Sequence, residues 1–464
     1  MTTFPANATP ADRTAHGRAA RAGAPRSAHA HLPEADRDPV AILQRQAESR
    51  LPELLPIRYG RMLSSPFAYF RGAAMVMAGD LARTPVSGLT AQLSGDAHLS
   101  NFGIFGTPER RLVFDLNDFD ETLRGPWEWD VKRLAASLAV AGRDNGLSRP
   151  DREAMIRACV ESYRVAMREF AEMGTLDLWY THLDVDAAYA ELARTGTAGH
   201  RKLGRSLVRA RTRDSAQAMS TLTGLEAGER RIVADPPLVV PLRDLLPGDA
   251  RADQEQLLGR LITEYGQSLS PDRRHLLGQY RIVDVARKVV GVGSVGVRTW
   301  IVLLTGRDDR DPLVLQAKEA TPSVLADYAD PSPYANEGRR VVAGQRLMQA
   351  AGDIFLGWHQ LTEADGVTRD FYVRQLRDWK GSADIAAMSG PELAWYGDLC
   401  GATLARAHAR SGDRIAIAAY LGAGEVFDRA VTGFAEAYAD QNDRDYAALR
   451  TAVTSGRVAA RIGL

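Results

Sequence analysis

Between Leu93 and Arg133 the chain gathers Asp96, His98, Asn101, Asp115, Asp118, Asp120, Glu121 and Asp130. Carboxylates repel one another and are costly to desolvate, so this density calls for a cation or a proton among them. Apolar pairs such as Val113-Phe114 bracket the group. That is the composition of a pocket for a metal or a phosphate rather than of a solvated face. Asp115 and Asp118 compete as metal ligand. If residues 111–116 form a regular strand, Leu112, Phe114 and Leu116 face the core and Asp115 faces away from it. Asp118 falls just past the strand end, where it can turn inward, with Asp120 as a further candidate. Mg²⁺ takes oxygen donors, typically one or two carboxylates plus phosphate oxygens, and this cluster can supply them.

A second stretch with chemistry in it is Gly291-Val292-Gly293-Ser294-Val295-Gly296. Glycines at a loop tip let backbone amides approach a phosphate. The dinucleotide version of this spacing needs a helix directly afterwards, whereas Val297 to Val302 reads as strand, so a Rossmann unit is rejected. Lys318 closes the next apolar strand, Leu315-Gln316-Ala317. A glycine loop between antiparallel strands followed by a lysine on a third is the arrangement kinases use. Such a lysine needs a carboxylate partner on the following helix, and Glu337 is the expected one.

The elements that must position these residues are readable in outline. Residues 1–38 are rich in Ala, Arg, Pro, Thr and His and predict a disordered arm. Helical pieces follow from Pro39, with a strand at 89–93. Strands at 102–105 and 111–116 are joined by a turn at Gly106-Thr107-Pro108-Glu109. One long helical region runs from Trp127 to about Met173. Residues 174–275 show no clear pattern beyond a basic run at 201–213, read as a solvated face. From 281 the periodicity predicts a mostly antiparallel sheet with one helix inserted at 334–351. Residues 391–453 are helical again. The resulting division is an arm (1–38), a helical lobe with the acidic loops (39–279), a glycine-rich sheet lobe (280–380) and C-terminal helices completing the helical lobe (381–464).

Composition excludes several classes. Lys plus Arg equals Asp plus Glu at 58 each, so no basic surplus supports nucleic-acid binding. The two cysteines, Cys159 and Cys400, make neither a metal spacing nor a disulfide framework, which points to a cytoplasmic protein. No apolar run is long enough for a membrane span, and the N-terminus lacks a secretory core.

Gly95-Asp96-Ala97-His98-Leu99-Ser100-Asn101 has the form Asp-x-His-x-x-Asn. It resembles the catalytic loop of the aminoglycoside and choline kinase group of the protein-kinase-like superfamily. The resemblance implies that Asp96 orients or deprotonates an acceptor hydroxyl, that Asn101 binds Mg²⁺, and that His98 supports the loop. Asp118-Phe119 resembles the group's metal-binding Asp-aromatic pair, and Gly125-Pro126 to Asp130 its following segment, with Asp130 a structural helix-start carboxylate. The order is permuted, since the glycine loop here follows the catalytic loop. From Arg61-Met62-Leu63-Ser64-Ser65-Pro66-Phe67 to Leu404-Ala405-Arg406-Ala407-His408-Ala409-Arg410-Ser411-Gly412-Asp413 the chain also resembles the bacterial DUF2252 family, which is grouped with that superfamily.

These resemblances imply an α+β, kinase-like, two-lobed protein: an ATP- and Mg²⁺-dependent phosphotransferase acting on an unidentified hydroxyl acceptor. Gly291, Gly293, Ser294 and Gly296 would cover the phosphates, and Lys318 would contact them. Asn101 and Asp118 would hold the metal, and residues 371–377 would hold the adenine edge. Nucleotidyl transfer on the same fold is the alternative within the class. A metal-dependent phosphoesterase is the alternative outside it, though no further histidine segment accompanies His98. A non-catalytic nucleotide-binding protein is the third.

Overall fold

In the computed structural model, residues 8–34, 36–186, 190, 211–212, 214–226, 229–245, 260–362, 366–376 and 379–463 are described. The protein is α+β, and every strand pairing among these residues is antiparallel. A six-stranded sheet runs in the order Gly357–Thr362, Thr368–Gln375, Pro312–Ala320, Thr299–Thr305, Arg281–Lys288, Val239–Pro241. Its edge strand comes from the stretch in which the sequence shows no pattern. A four-stranded sheet pairs Gly381–Ser382, Phe102–Gly106, Leu112–Leu116 and Leu183–Asp184 in that order. Thr90–Leu93 pairs with Leu123–Pro126, a strand absent from the sequence reading. The basic run at 201–213 lies outside the described residues except for Arg211 and Thr212.

The predicted long helix is two helices, Glu128–Asp144 and Arg149–Glu172. The chain reverses at Gly146, whose φ of +71° suits glycine. Ser148 then caps the second helix through the Asp151 amide, with Pro150 in its first turn. Arg149–Glu172 packs along Gly390–Ser411, and Val426–Thr454 lies over both Glu128–Asp144 and Arg149–Glu172. One continuous core joins these helices to the sheets. It holds Leu93, Phe102, Leu116, Leu134 and Leu404 together with Ala320, Val341 and Tyr372. The side chains around the acidic loops are therefore set by the same packing that holds the helices.

The expected disordered arm is not found at residues 8–34. Pro10–Gly23 is a helix whose start is closed by a reciprocal Thr9–Asp12 capping box. It packs on Arg414–Leu421 so closely that a Cβ on Gly17 would lie 2.0 Å from the Ala416 carbonyl oxygen. Sequence composition misled here because several of the arginines are engaged by the fold. Arg21 Nε and Arg26 Nη1 donate to the carbonyls of Tyr420 and Leu421, at 2.9 and 2.6 Å. Those are the orphan acceptors at a helix end. Arg37 bridges Asp80 and Asp445, both buried.

His29 completes the docking, fully buried against Tyr420 and Phe427, with its Nε2 2.6 Å from the Tyr420 hydroxyl. Burial, reinforced by Lys132, depresses its pKa to about 3. The folded state therefore keeps His29 neutral, and its contribution is present above the unfolded value of about 6.5. It is lost as pH falls from there toward 3. By pH 5 the loss reaches about 2 kcal/mol. Urea unfolding at pH 7 and pH 5 will show a decline of that order in the wild type and a smaller one in His29→Gln.

Candidate functional site

Asp96 sits at the end of Thr90–Leu93, after a turn that only glycine can make. Gly95 has φ +79°, and a Cβ there would lie 2.2 Å from the Glu121 carbonyl oxygen. The turn is held from below by Asp130, whose carboxylate accepts from the Ser94 and Gly95 amides at 2.7 and 3.1 Å. His408 Nε2 lies 3.2 Å from the same carboxylate, and its Nδ1 meets the Tyr163 hydroxyl at 2.9 Å. Asp130 thus caps the acidic loop rather than its own helix. Arg133, one turn further along, donates its Nε to Asp96 Oδ1 at 2.5 Å. Asp96 Oδ2 lies 3.7 Å from His98 Nε2. Burial raises the Asp96 pKa even with Arg133 against it.

Asn101 turns its amide nitrogen to the Asp96 carbonyl at 2.8 Å, so its oxygen is the end left to ligate. His98 is buried and held neutral by burial and by the nearby Arg71 and Arg133 charges. Asp118 receives one hydrogen bond on its carboxylate, from the Asp120 amide at 3.3 Å. Burial and the neighbouring Asp120 charge raise its pKa. Asp115 does not face away from the core, as strand alternation predicts, but is 1% exposed. All five residues of that strand are buried, and Arg406 and the Leu116 and Ala350 amides occupy the Asp115 carboxylate.

Across a cavity of about 80 Å³ from these residues lies the glycine loop. Gly291, Gly293 and Ser294 line it together with Asp96, His98, Asn101, Asp118, Asp120, Glu121 and Arg71. Residues 292–294 form a single tight turn. Its flanks are pinned: Arg61 donates to the Val290 carbonyl at 2.7 Å, Arg50 to Val295 at 2.6 Å and the Leu51 amide to Gly296 at 2.8 Å. Gly296, at φ +89°, ends the loop beside Arg50 without lining the cavity.

Lys318 reaches the glycine loop from Pro312–Ala320, with its Nζ 2.6 Å from the Ser294 hydroxyl. Its carboxylate partner is Asp120, not Glu337. Glu337 is taken by Arg340, three residues on along its own helix. Asp120 arrives from the turn after Leu112–Leu116, already oriented by the Tyr372 hydroxyl at 2.7 Å. Asp120 holds the Lys318 pKa well above its usual range against the cost of burial. Glu319 pairs with Arg298 and Arg369. The backbone of Phe371–Val373 is hydrogen-bonded to strands on both sides, so these residues have no free edge for an adenine. Arg377 lies outside the described residues.

Two further residues had no role in the sequence reading: Glu121 entered as a member of the acidic cluster only, and Lys380 not at all. Glu121 accepts from the Val324 amide at 2.7 Å, and burial lifts its pKa to about 7, within general acid-base range. Lys380, beside Gly381–Ser382, is pushed down to about 7, chiefly by Arg374 and then by burial, with Asp118 opposing. Among the described residues no three of His, Cys, Asp and Glu converge on one metal position. A divalent ion here would thus rest on Asp118, the Asn101 oxygen and ligand phosphates, which suits Mg²⁺ better than Zn²⁺.

The chain belongs to the family described as "Uncharacterized protein conserved in bacteria (DUF2252)", whose model matches residues 50–452. No curated protein and no solved structure matches it. Among the described residues no helix is long and apolar enough to cross a membrane.

Removing the Asp130 carboxylate should loosen the Asp96 turn first. Asp130→Ala leaves two buried amides and His408 without their acceptor, a loss of about 3 kcal/mol. Chemical denaturation will report the loss, and amide exchange will show Ser94 and Gly95 deprotected.

Proposed function

We propose that this protein is an ATP- and Mg²⁺-dependent phosphotransferase for a hydroxyl acceptor, with kinase-like parts in permuted chain order. The observation that carries this reading is the facing of two distant segments across one cavity. The glycine loop, with Lys318 bonded to its Ser294, stands on one side, and Asp96, Asn101 and Asp118 on the other. Phosphoryl transfer needs little covalent chemistry from the protein, so positioning and charge neutralisation suffice.

In this reading Lys318 and the 291–294 amides hold the phosphates. Asn101 and Asp118 would hold the metal, which would supply neutralisation of the phosphate charge. Asp96 holds the acceptor hydroxyl. Its Oδ1 is engaged by Arg133, so Oδ2 receives the proton as the acceptor oxygen bonds to the γ-phosphorus and the bond to ADP breaks. The raised pKa of Asp96 suits a base.

The cavity's 80 Å³ accommodates several waters or a hydrated ion. Whole ligands need several hundred Å³. The phosphoesterase reading has less support, because two-metal hydrolysis calls for more converging ligands than the described residues bring together.

Mg²⁺-ATP should raise the melting temperature by a few degrees at saturation, since a ligand at 100 Kd adds about 2.7 kcal/mol. Asp118→Ala should remove most of that shift. A wild type indifferent to millimolar Mg²⁺-ATP would end the proposal. Asp96→Asn should keep nucleotide affinity and lower kcat about 10²- to 10⁴-fold. An unchanged rate would take the base role from Asp96. Product mass distinguishes phosphoryl from nucleotidyl transfer.

A further inference from the structure

We propose that Arg71 is the γ-phosphate anchor of this site, the group by which it tells a nucleoside triphosphate from a diphosphate. The inference rests on the phosphotransferase reading and adds to it a specificity-determining residue.

Among the described residues Arg71 is the one lysine or arginine that lines the cavity, and three nearby basic side chains are occupied by protein acceptors. Lys318 is held by Asp120 and Ser294. Arg133 is held by Asp96 and the Phe70 carbonyl. Arg50 donates to the Val295 carbonyl. Arg71 lines the cavity, and its Nε is buried with no hydrogen-bond partner. A buried guanidinium donor left unmatched costs free energy that an incoming anion recovers. Bidentate recognition of phosphate is what a guanidinium does best.

The position is as telling as the vacancy of the donor. Arg71 belongs to Pro66–Gly72, capped by Ser65 through the Ala68 amide. The carbonyl of Phe70, one residue earlier, accepts from Arg133 at 3.1 Å, and Arg133 in turn holds Asp96. On the other side, the point where a Cβ would stand on Gly293 is 3.4 Å from the Arg71 carbonyl oxygen. Arg71 is thus fixed between the acceptor-binding carboxylate and the glycine loop. In phosphoryl transfer the group that lies between those two is the phosphoryl being transferred. Lys318 sits at the loop's far end against Ser294, where the inner phosphates belong.

The test is binding of Mg²⁺-ATP and Mg²⁺-ADP to the full chain by calorimetry, for wild type, Arg71→Met and Arg71→Lys. The wild type should prefer ATP by about tenfold or more, the value of a charge-assisted hydrogen bond to one extra phosphate. Arg71→Met should bind ADP as the wild type does and lose the preference to within twofold. Arg71→Lys, which keeps the charge and loses the fork, should fall between them. A general weakening of the fold would lower both affinities together and leave their ratio intact, so an unchanged ratio in either variant overturns the assignment. A wild type that binds both nucleotides without preference overturns it too, and leaves the phosphotransferase reading standing. A wild type that binds neither nucleotide removes both.

Discussion

The buried ion pair between Lys318 and Asp120 joins the two halves of the candidate site. Neither charge is stable alone at this depth, because desolvation of each costs several kcal/mol. Geometry and extra hydrogen bonds must offset that, and both are present. Tyr372 donates to Asp120 from the strand beside Lys318, and Ser294 meets the lysine from the loop. Below the pair, Arg340 donates to the carbonyls of Asp120, Thr122 and Thr321. The acidic turn is thereby fastened to the six-stranded sheet and to the helix Glu337–Met348 together. The pair reaches the cavity wall at its loop side, so the fastening and the ligand site share atoms.

A second set of buried charges fixes the opposite wall. Asp130, His408 and Tyr163 form a chain of polar contacts inside the helical core, ending on the Ser94 and Gly95 amides. Trp127 stacks on Tyr163 at 5.6 Å and keeps the chain dry. In low dielectric each bond of such a network strengthens, and each missing partner costs more. Asp96 gains a defined direction from this, since its loop cannot shift without stranding several buried groups.

What the sequence made legible follows from how local each signal is. The acidic run and the glycine loop are contiguous, so composition and spacing exposed them. Lys318 at the end of an apolar run was legible for the same reason. Its partner was not, because Asp120 and Glu337 are both carboxylates after a strand or at a helix start. Only packing decides that Glu337 turns to Arg340. Asp115 was misplaced because alternation assumes one wet face, and its strand has none. The arm at residues 8–34 was misread since arginine-rich composition does not reveal helix-end carbonyls awaiting donors. Arg71 and Lys380 carried no signal at all; a lone basic residue in a helix or beside a short strand is ordinary.

The uneven stiffness of the site has a physical origin in these contacts. The acidic wall is held by buried ion pairs and a shared core, which resist displacement. The loop wall is held at its flanks by arginine-to-carbonyl bonds, at its tip by an ammonium-to-hydroxyl bond, and by the packing of Val292 and Val295. Replacing that single tip bond by phosphate contacts changes little in net free energy, because one charge-assisted bond is exchanged for another. Moving the carboxylates would strand Arg133, Lys318 and two backbone amides at once. The acidic wall therefore has more buried charge contacts to lose on displacement than the loop wall has.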